Sequence, residues 1–413
     1  MSAGKTAAEP SGRVVPRTDL RFAVVGVPGD RRTTMFTAAA RSAGHPAPRV
    51  VAWRDVLHGR PAFAPGEFVR IDSPGEDAEV DRLLRDADDP TRVGGTALWY
   101  RRFTAAVQTV TEAAHRAGAV PSTGPDDLAT LFDKRRCHAR LAAAGVPVPP
   151  APRGPVGCWS ELRGTLRAAR VTRAFVKPAH GSSASGVVAL TVAGSGRVRA
   201  TTSVETAPDG RLFNSLRVRH HISEPEVAAL VDALAPDGLH VEQWLPKSSL
   251  GGGRPADLRV VVIAGRATHA VVRTSRHPMT NLHLGGARGD LDAARAAIRA
   301  AGGSFDDALD CAERAAACFP DTLCVGVDVL PVARWRRFAV CEVNAFGDLL
   351  PGLTGLPGRG AEGLDTYAAQ IAAVETRGSA SDAVLGAPVT TGAAPLAAAR
   401  HARHEEHLHD TLA

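Results

Sequence analysis

Apolar residues in this chain gather in short runs that alternate with amphipathic stretches. Residues 21–27 (RFAVVGV) form a β-branched run ended by Gly26, Pro28 and Gly29, a strand by composition and length. Residues 35–43 then read as a helix, 50–53 and 67–71 as strands, and 96–117 as a long helix. Strands alternating with helices predict a parallel sheet, so 20–122 is expected to be one small α/β domain. The Gly-Val-Pro-Gly-Asp turn at 26–30 invites a phosphate-loop reading. No Gly-Lys-Ser/Thr follows it, which leaves a tight strand-to-helix turn.

Past Ser122 the pattern changes. Residues 126–144 read as one helix, ended by Gly145 and the prolines at 147, 149 and 150, a clean helix stop. Residues 174–177 and 187–192 read as strands flanking a small-residue loop, PAHGSSASG. Residues 240–245 (HVEQWL) form a further strand, and 257–264 with 267–273 a β-hairpin turning at Gly265-Arg266. Residues 323–330 and 338–346 are nearly all apolar and read as buried strands.

Composition narrows the class. A length of 413 residues suggests two to three domains at about 150 residues each. Apolar residues at 44% and charged residues at 22% exclude a wholly disordered chain. No apolar run approaches the ~18 residues of a membrane helix, and the first eighteen residues hold Lys5, Glu9 and Arg13 without an apolar stretch, unlike a secretory leader. Six cysteines without a CxxC pair argue against a disulfide or zinc framework. A cytoplasmic protein is expected, with 1–19 and 379–413 as polar tails. The tail histidines at 401, 404, 407 and 409 could align on a helix, but a solvated tail accounts for them.

The net charge of +6 comes from scattered arginines, so no nucleic-acid partner is expected, whereas an anionic ligand fits. Only four residues are lysine (Lys5, Lys134, Lys177, Lys247) and three asparagine (Asn214, Asn281, Asn344). In this arginine- and alanine-rich chain a lysine or asparagine is therefore informative.

Lys177 ends a strand beside a loop whose Gly and Ser amides can close on oxygens, a phosphate cradle in chemical terms; an exposed lysine on a hairpin is the alternative. Glu242 and Gln243 could hydrogen-bond a purine edge or simply form a polar strand face. Asp257 and Arg259 share a sheet face, and Arg273 returns beside them, either as an anion clamp or as cross-strand ion pairs. Asp328 interrupts a buried strand, and Glu342 and Asn344 lie on one face of the next. A buried carboxylate must be paired, protonated or metal-bound. Two carboxylates and an amide suit Mg²⁺; pairing with buried arginines is the alternative.

In this order the features resemble the ATP-grasp superfamily, within it the RimK-like and glutathione-synthetase-like carboxylate–amine ligases. The resemblance spans about 122–373. It implies an α/β architecture: an ATP-grasp fold of two α+β subdomains gripping ATP, at 123–378, preceded by the small parallel-sheet domain. It implies Lys134 and Lys177 on the nucleotide phosphates, and a closing loop with Gly181, Ser182, Ser183 and Gly186. Glu242, Gln243, Trp244 and Leu245 would form the adenine–ribose hinge. Asp257 and Asn281 would line the nucleotide site, and Arg259 and Arg273 would face the substrate. Asp328, Glu342 and Asn344 would hold Mg²⁺, or Mn²⁺. The implied activity is ADP-forming ligation of a carboxylate to an amine on an amino acid, peptide or protein. A phosphotransferase and a catalytically silent nucleotide-binding module are the alternatives. The stretch after Asn344 (AFGDLLPG) departs from the small-residue and proline turn of relatives, and 201–223 has no counterpart.

Overall fold

A computed structural model of the protein describes residues 20–385 except 76, 88, 182, 183, 194, 195, 281–284, 348 and 349. Ser182, Ser183, Asn281 and the tail histidines thus lie outside the described residues. The chain divides into a large unit ending at Glu375 and a short one from Thr376; the architecture below belongs to the large unit.

Its first layer is a parallel sheet in the order β2-β1-β3-β4, made of β1 (Arg21–Gly26), β2 (Arg49–Ala52), β3 (Glu67–Ile71) and β4 (Val120–Pro121). Helices α1 (Arg31–Ser42), α2 (Trp53–Leu57), α3 (Ala78–Arg85) and α4 (Thr96–Arg116) connect the strands. Trp53, expected in the second strand, instead starts α2. Its buried indole N–H donates to the Asp72 carbonyl at 3.1 Å, a partner that the strand conformation would not offer.

The stretch 126–144, read as one helix, is two: α5 (Pro125–Leu131) and α6 (Lys134–Ala143). Asp133 stands between them in extended backbone and caps α6, its carboxylate accepting the Arg135 amide at 2.9 Å and the Arg136 amide at 3.4 Å. The local capping preference of Asp overrides the apolar periodicity. The break makes Lys134 the first residue of α6.

A second, antiparallel sheet follows after α7 (Trp159–Ala168). It contains β5 (Arg173–Pro178), β6 (Val188–Val192), β7 (Val198–Thr206), β8 (Leu212–His221) and, past α8 (Glu224–Leu234), β9 (Leu239–Gln243), in the order β8-β7-β6-β5-β9. Its core packs Leu162, Leu166, Val227 and Val231 of the helices against Val176, Leu190 and Val241. The unplaced 201–223 is largely the β7–β8 hairpin that extends this sheet at its edge.

The third sheet contains β10 (Ser249–Leu250), β11 (Arg254–Ile263), β12 (Arg266–Thr274), β13 (Ala287–Arg288), β14 (Cys324–Val332) and β15 (Arg337–Ala345). Its order is β13-β12-β11-β14-β15, all neighbours antiparallel, with β10 also beside β11. Helices α9 (Leu291–Ala300) and α10 (Phe305–Ala316) cover one face, burying Ile298, Leu309 and Ala312 against Val260 and Val327. Tyr367 and Ile371 of α11 (Thr366–Leu385) pack against Phe22 and Phe36. Among the described residues no helix is long and apolar enough to cross a membrane.

One glycine is required by close packing beside β15. A Cβ on Gly326, which faces Asn344 across the β14–β15 pair, would stand 2.7 Å from the Gly347 carbonyl oxygen. Gly326→Ala is expected to cost about 1–3 kcal/mol, as overpacking does. A lowered urea midpoint at constant slope would show it; an unchanged midpoint would contradict it.

Candidate active site: a charged cleft between two antiparallel sheets

The second and third sheets face each other across a cleft. Among the described residues four cations line it, Lys134, Lys177, Lys247 and Arg273, and four carboxylates, Glu242, Asp257, Asp328 and Glu342. Apolar walls come from Phe175, Val187, Leu245, Met279 and Leu330. A cleft lined by both charged and apolar side chains can take a ligand with an anionic end and a less polar end.

Each charge has a specific position. Lys177 ends β5 in register with His240 of β9, and its ammonium meets the Glu242 carboxylate at 2.6 Å, both side chains at most 8% exposed. Burial would raise Glu242, but the Lys177 ammonium and the His240 hydrogen bond at 3.1 Å override it and hold its pKa at about 2. Burial would lower Lys177, but the Glu242 and Glu342 carboxylates raise it, so it stays charged. The depressed Glu242 implies a pH dependence. The stability it contributes is complete above the ordinary glutamate range near 4.5 and is lost as pH falls from there towards 2. Glu242→Gln is expected to flatten the acid limb of the stability curve across that window, measured by urea melts; an unaltered limb would contradict the pairing.

Lys134 points into the cleft from the start of α6. Its ammonium donates to the Gly181 carbonyl and meets Glu342 at 2.6 Å. Its backbone N–H donates to the Ala179 carbonyl at 2.9 Å, so the helix start and the base of the small-residue loop are one piece. Lys247, not among the expected site residues, enters from the segment after β9. It meets Asp257 at 3.2 Å and Thr280 at 2.7 Å. Nothing local marks it except the scarcity of lysine. It reaches the cleft because Lys247 bridges to Val332 and the Ser248 amide donates to the Pro331 carbonyl.

The arginines form a ladder across three strands. Asp257 on β11 faces Arg273 on β12, and Arg259 on β11 faces Asp328 on β14. Arg273 reaches Asp257 at 2.7 Å and Asp328 at 2.8 Å, while Arg259 makes two hydrogen bonds to Asp328, one at 3.1 Å. Burial would raise both aspartates. Lys247 and Arg273 hold Asp257 down, and Arg259 and Arg273 hold Asp328 down. The alternatives set out for the buried carboxylate thus meet at Asp328, which is salt-bridged to two arginines and also opposite Glu342.

A β-bulge shapes this edge. Asp328 pairs with Glu342, but Val329 pairs with Val340, so Cys341 is the extra residue, and both Cys341 and Glu342 line the cleft. Burial pushes the Cys341 thiol up to about 12, so it stands as a neutral neighbour 3.5 Å from the Lys177 ammonium.

Could this edge hold a divalent cation? Among the described residues no three His, Cys, Asp or Glu side chains are grouped to bind one. Asp328 and Glu342 are direct neighbours across the strand pair, and Asn344 lies two residues on. Its Nδ2 donates to the Gly326 carbonyl at 3.1 Å, leaving the amide oxygen outside that bond. An all-oxygen set of two carboxylates and an amide fits Mg²⁺, which usually binds one or two carboxylates and takes its other ligands from phosphates and water.

Some expected residues stand elsewhere. Trp244 does not line the cleft; its ring packs under Arg173 at 3.8 Å and against Phe175 at 5.3 Å. Gly186, with φ of +71°, serves loop closure, because a Cβ there would lie 2.5 Å from the Pro178 side chain. Arg259 and Asn344 are not among the described residues that line the cleft; Arg259 meets it through Asp328. After Asn344, Phe346 adopts a left-handed φ of +65° and packs on Phe132 with centroids 5.7 Å apart, which joins this strand end to the core beneath the parallel sheet.

No protein-family model matches the sequence, and no curated protein matches it. Solved structures do. The D-cycloserine synthetase DcsG superposes with a TM-score of 0.51 at 18% identity, covering 86% of this chain and 99% of that one. The ATP-grasp ligase PsnB, complexed with a phosphomimetic variant of its minimal precursor, Mg and ADP, gives a TM-score of 0.49 at 19% identity, over 87% and 100%. D-alanine–D-alanine ligase from Bacillus anthracis complexed with ATP gives 0.43 at 12% identity, over 79% and 86%. The chain has the ATP-grasp fold.

Proposed function

We propose that the protein is an ADP-forming carboxylate–amine ligase. The observation that carries this reading is the convergence, in an ATP-grasp fold, of three lysines and an arginine with four carboxylates in one cleft between its two antiparallel sheets. Lys134 and Lys177 would neutralise the nucleotide phosphates, with Lys247 as a third cation. Gln243 and Leu245 would border the base. Arg259 and Arg273 would hold the substrate carboxylate and the transferring phosphoryl group. Asp328, Glu342 and Asn344 would hold Mg²⁺, with Mn²⁺ as the alternative ion. When bound, the cation would supply charge neutralisation for the phosphates.

The chemistry balances without a protein nucleophile. A carboxylate oxygen attacks the γ-phosphorus, the bond to ADP breaks, and an acylphosphate forms. An amine attacks its carbonyl carbon, phosphate leaves, and the nitrogen loses a proton. The protein's work is to hold charge and orient the reactants. The acceptor would be an amino acid, a peptide or a protein, handled in the cytoplasm.

ADP release, screened over carboxylates and amines with Mg-ATP, tests the reading. The expected result is equal ADP and phosphate, dependent on both substrates, with a product weighing their sum less one water. ADP with a phosphorylated final product, or no ADP under any pairing, would overturn it.

A further inference from the structure

We propose that Tyr100 and His180 are positioning residues: their stacked rings strap the base of the small-residue loop to helix α4 and hold the backbone against which Lys134 is set. The rings lie 4.0 Å apart at an interplanar angle of 15°. Tyr100 belongs to α4, and His180 sits between two of the residues that Lys134 touches, Ala179 through its backbone N–H and Gly181 through its ammonium. Displacing His180 therefore displaces these two anchors of Lys134, leaving Glu342 as its third.

Both rings are fixed from behind. The Tyr100 hydroxyl donates to the Ala129 carbonyl at 2.9 Å and accepts from Arg136 at 3.0 Å. His180 is buried, and its Nδ1 lies 3.1 Å from the Phe132 carbonyl. That distance fits a proton on Nδ1. Arg135 lies 3.5 Å from Nε2, where a cation favours the unprotonated nitrogen; burial likewise keeps the imidazole pKa below its ordinary value. A neutral ring stacked on a phenol is the stable arrangement. One more tie to α4 lies nearby: the Asp237 carboxylate accepts the Gly95 and Ala97 amides at its start, at 2.7 and 3.0 Å, and the next residue, Gly238, accepts the Ala179 amide at 3.0 Å. The strap is thus part of a seam through which the first domain sets the geometry of the loop.

The nucleotide consequence rests on the proposed function; the structural consequence does not, so two readouts separate them. Hydrogen exchange of the full chain without ligand is measured over 178–187 for wild type, Tyr100→Leu, His180→Ala, the double variant and Tyr100→Phe. Nucleotide affinity is measured by titration with Mg-ATP. The strap predicts about tenfold faster exchange in this segment for either single variant, an equal and non-additive gain in the double, as for two residues sharing one contact, and rescue by Tyr100→Phe. It also predicts about tenfold weaker Mg-ATP binding, tracking the exchange. Exchange unchanged by His180→Ala, or additive in the double variant, would overturn the strap, as would a defect in Tyr100→Phe equal to that in Tyr100→Leu. If Tyr100→Leu fails to fold, His180→Ala and Tyr100→Phe decide alone. Wild type that binds no Mg-ATP would refute the nucleotide reading and leave the exchange result to judge the strap.

Discussion

Asp328→Ala and Glu342→Gln are both expected to abolish turnover, yet to differ sharply in stability. Asp328 is 11% exposed in its side chain and holds Arg259 and Arg273 at once. Removing it takes the shared carboxylate from two buried guanidinium groups, leaving Arg273 with Asp257, a loss of about 3–5 kcal/mol. Glu342 is 29% exposed, and its partner Lys134 keeps the Gly181 carbonyl. Glu342→Gln is therefore expected to cost less than about 1 kcal/mol, as for an accessible ion pair. Its effect on rate follows the loss of one charge-stabilising group, roughly 10²–10³-fold or more. Urea melts beside ADP release separate the two. A Glu342→Gln protein that keeps Mg-dependent turnover would remove Glu342 from the metal set.

That contrast shows what could be read from the residues. Strands β1, β3, β5, β11, β12, β14 and β15 follow from runs of β-branched residues between turn signals, and the hairpin from Gly265. Lys177, Asp328 and Glu342 were legible because a charge inside an apolar strand requires a reason. Lys247 was not, because it lies in an irregular segment whose path is set by a bridge to β14. The bulge at Cys341 was not, because a one-residue slip between strands leaves no local mark in composition. The break before Lys134 was written in Asp133, a capping residue inside an otherwise helical pattern, and periodicity concealed it. The pairing of Tyr100 with His180 joins residues eighty positions apart and appears only in three dimensions.

Lys177→Ala carries the second large effect. Glu242 loses its closest cation while 2% exposed and keeps His240 and the Cys341 thiol. The expected loss is about 3–5 kcal/mol for an orphaned buried charge. Lys177→Ala combined with Glu242→Gln should recover much of that stability, because the uncompensated charge is gone. Nucleotide binding should stay lost in both. The double variant thus separates a folding role from a phosphate role: if it is stable and binds Mg-ATP as wild type does, Lys177 serves only the fold.

The central claim is that this cleft binds Mg-ATP, and thermal melting of the wild-type protein with and without it tests that most directly. A ligand at ~100 times its Kd stabilises the folded state by about 2.7 kcal/mol, which moves the melting midpoint by several degrees. The account predicts an upshift with Mg-ATP that falls when EDTA removes the metal and vanishes in the stable Lys177→Ala, Glu242→Gln double variant. No upshift at millimolar Mg-ATP in the wild-type protein would contradict it.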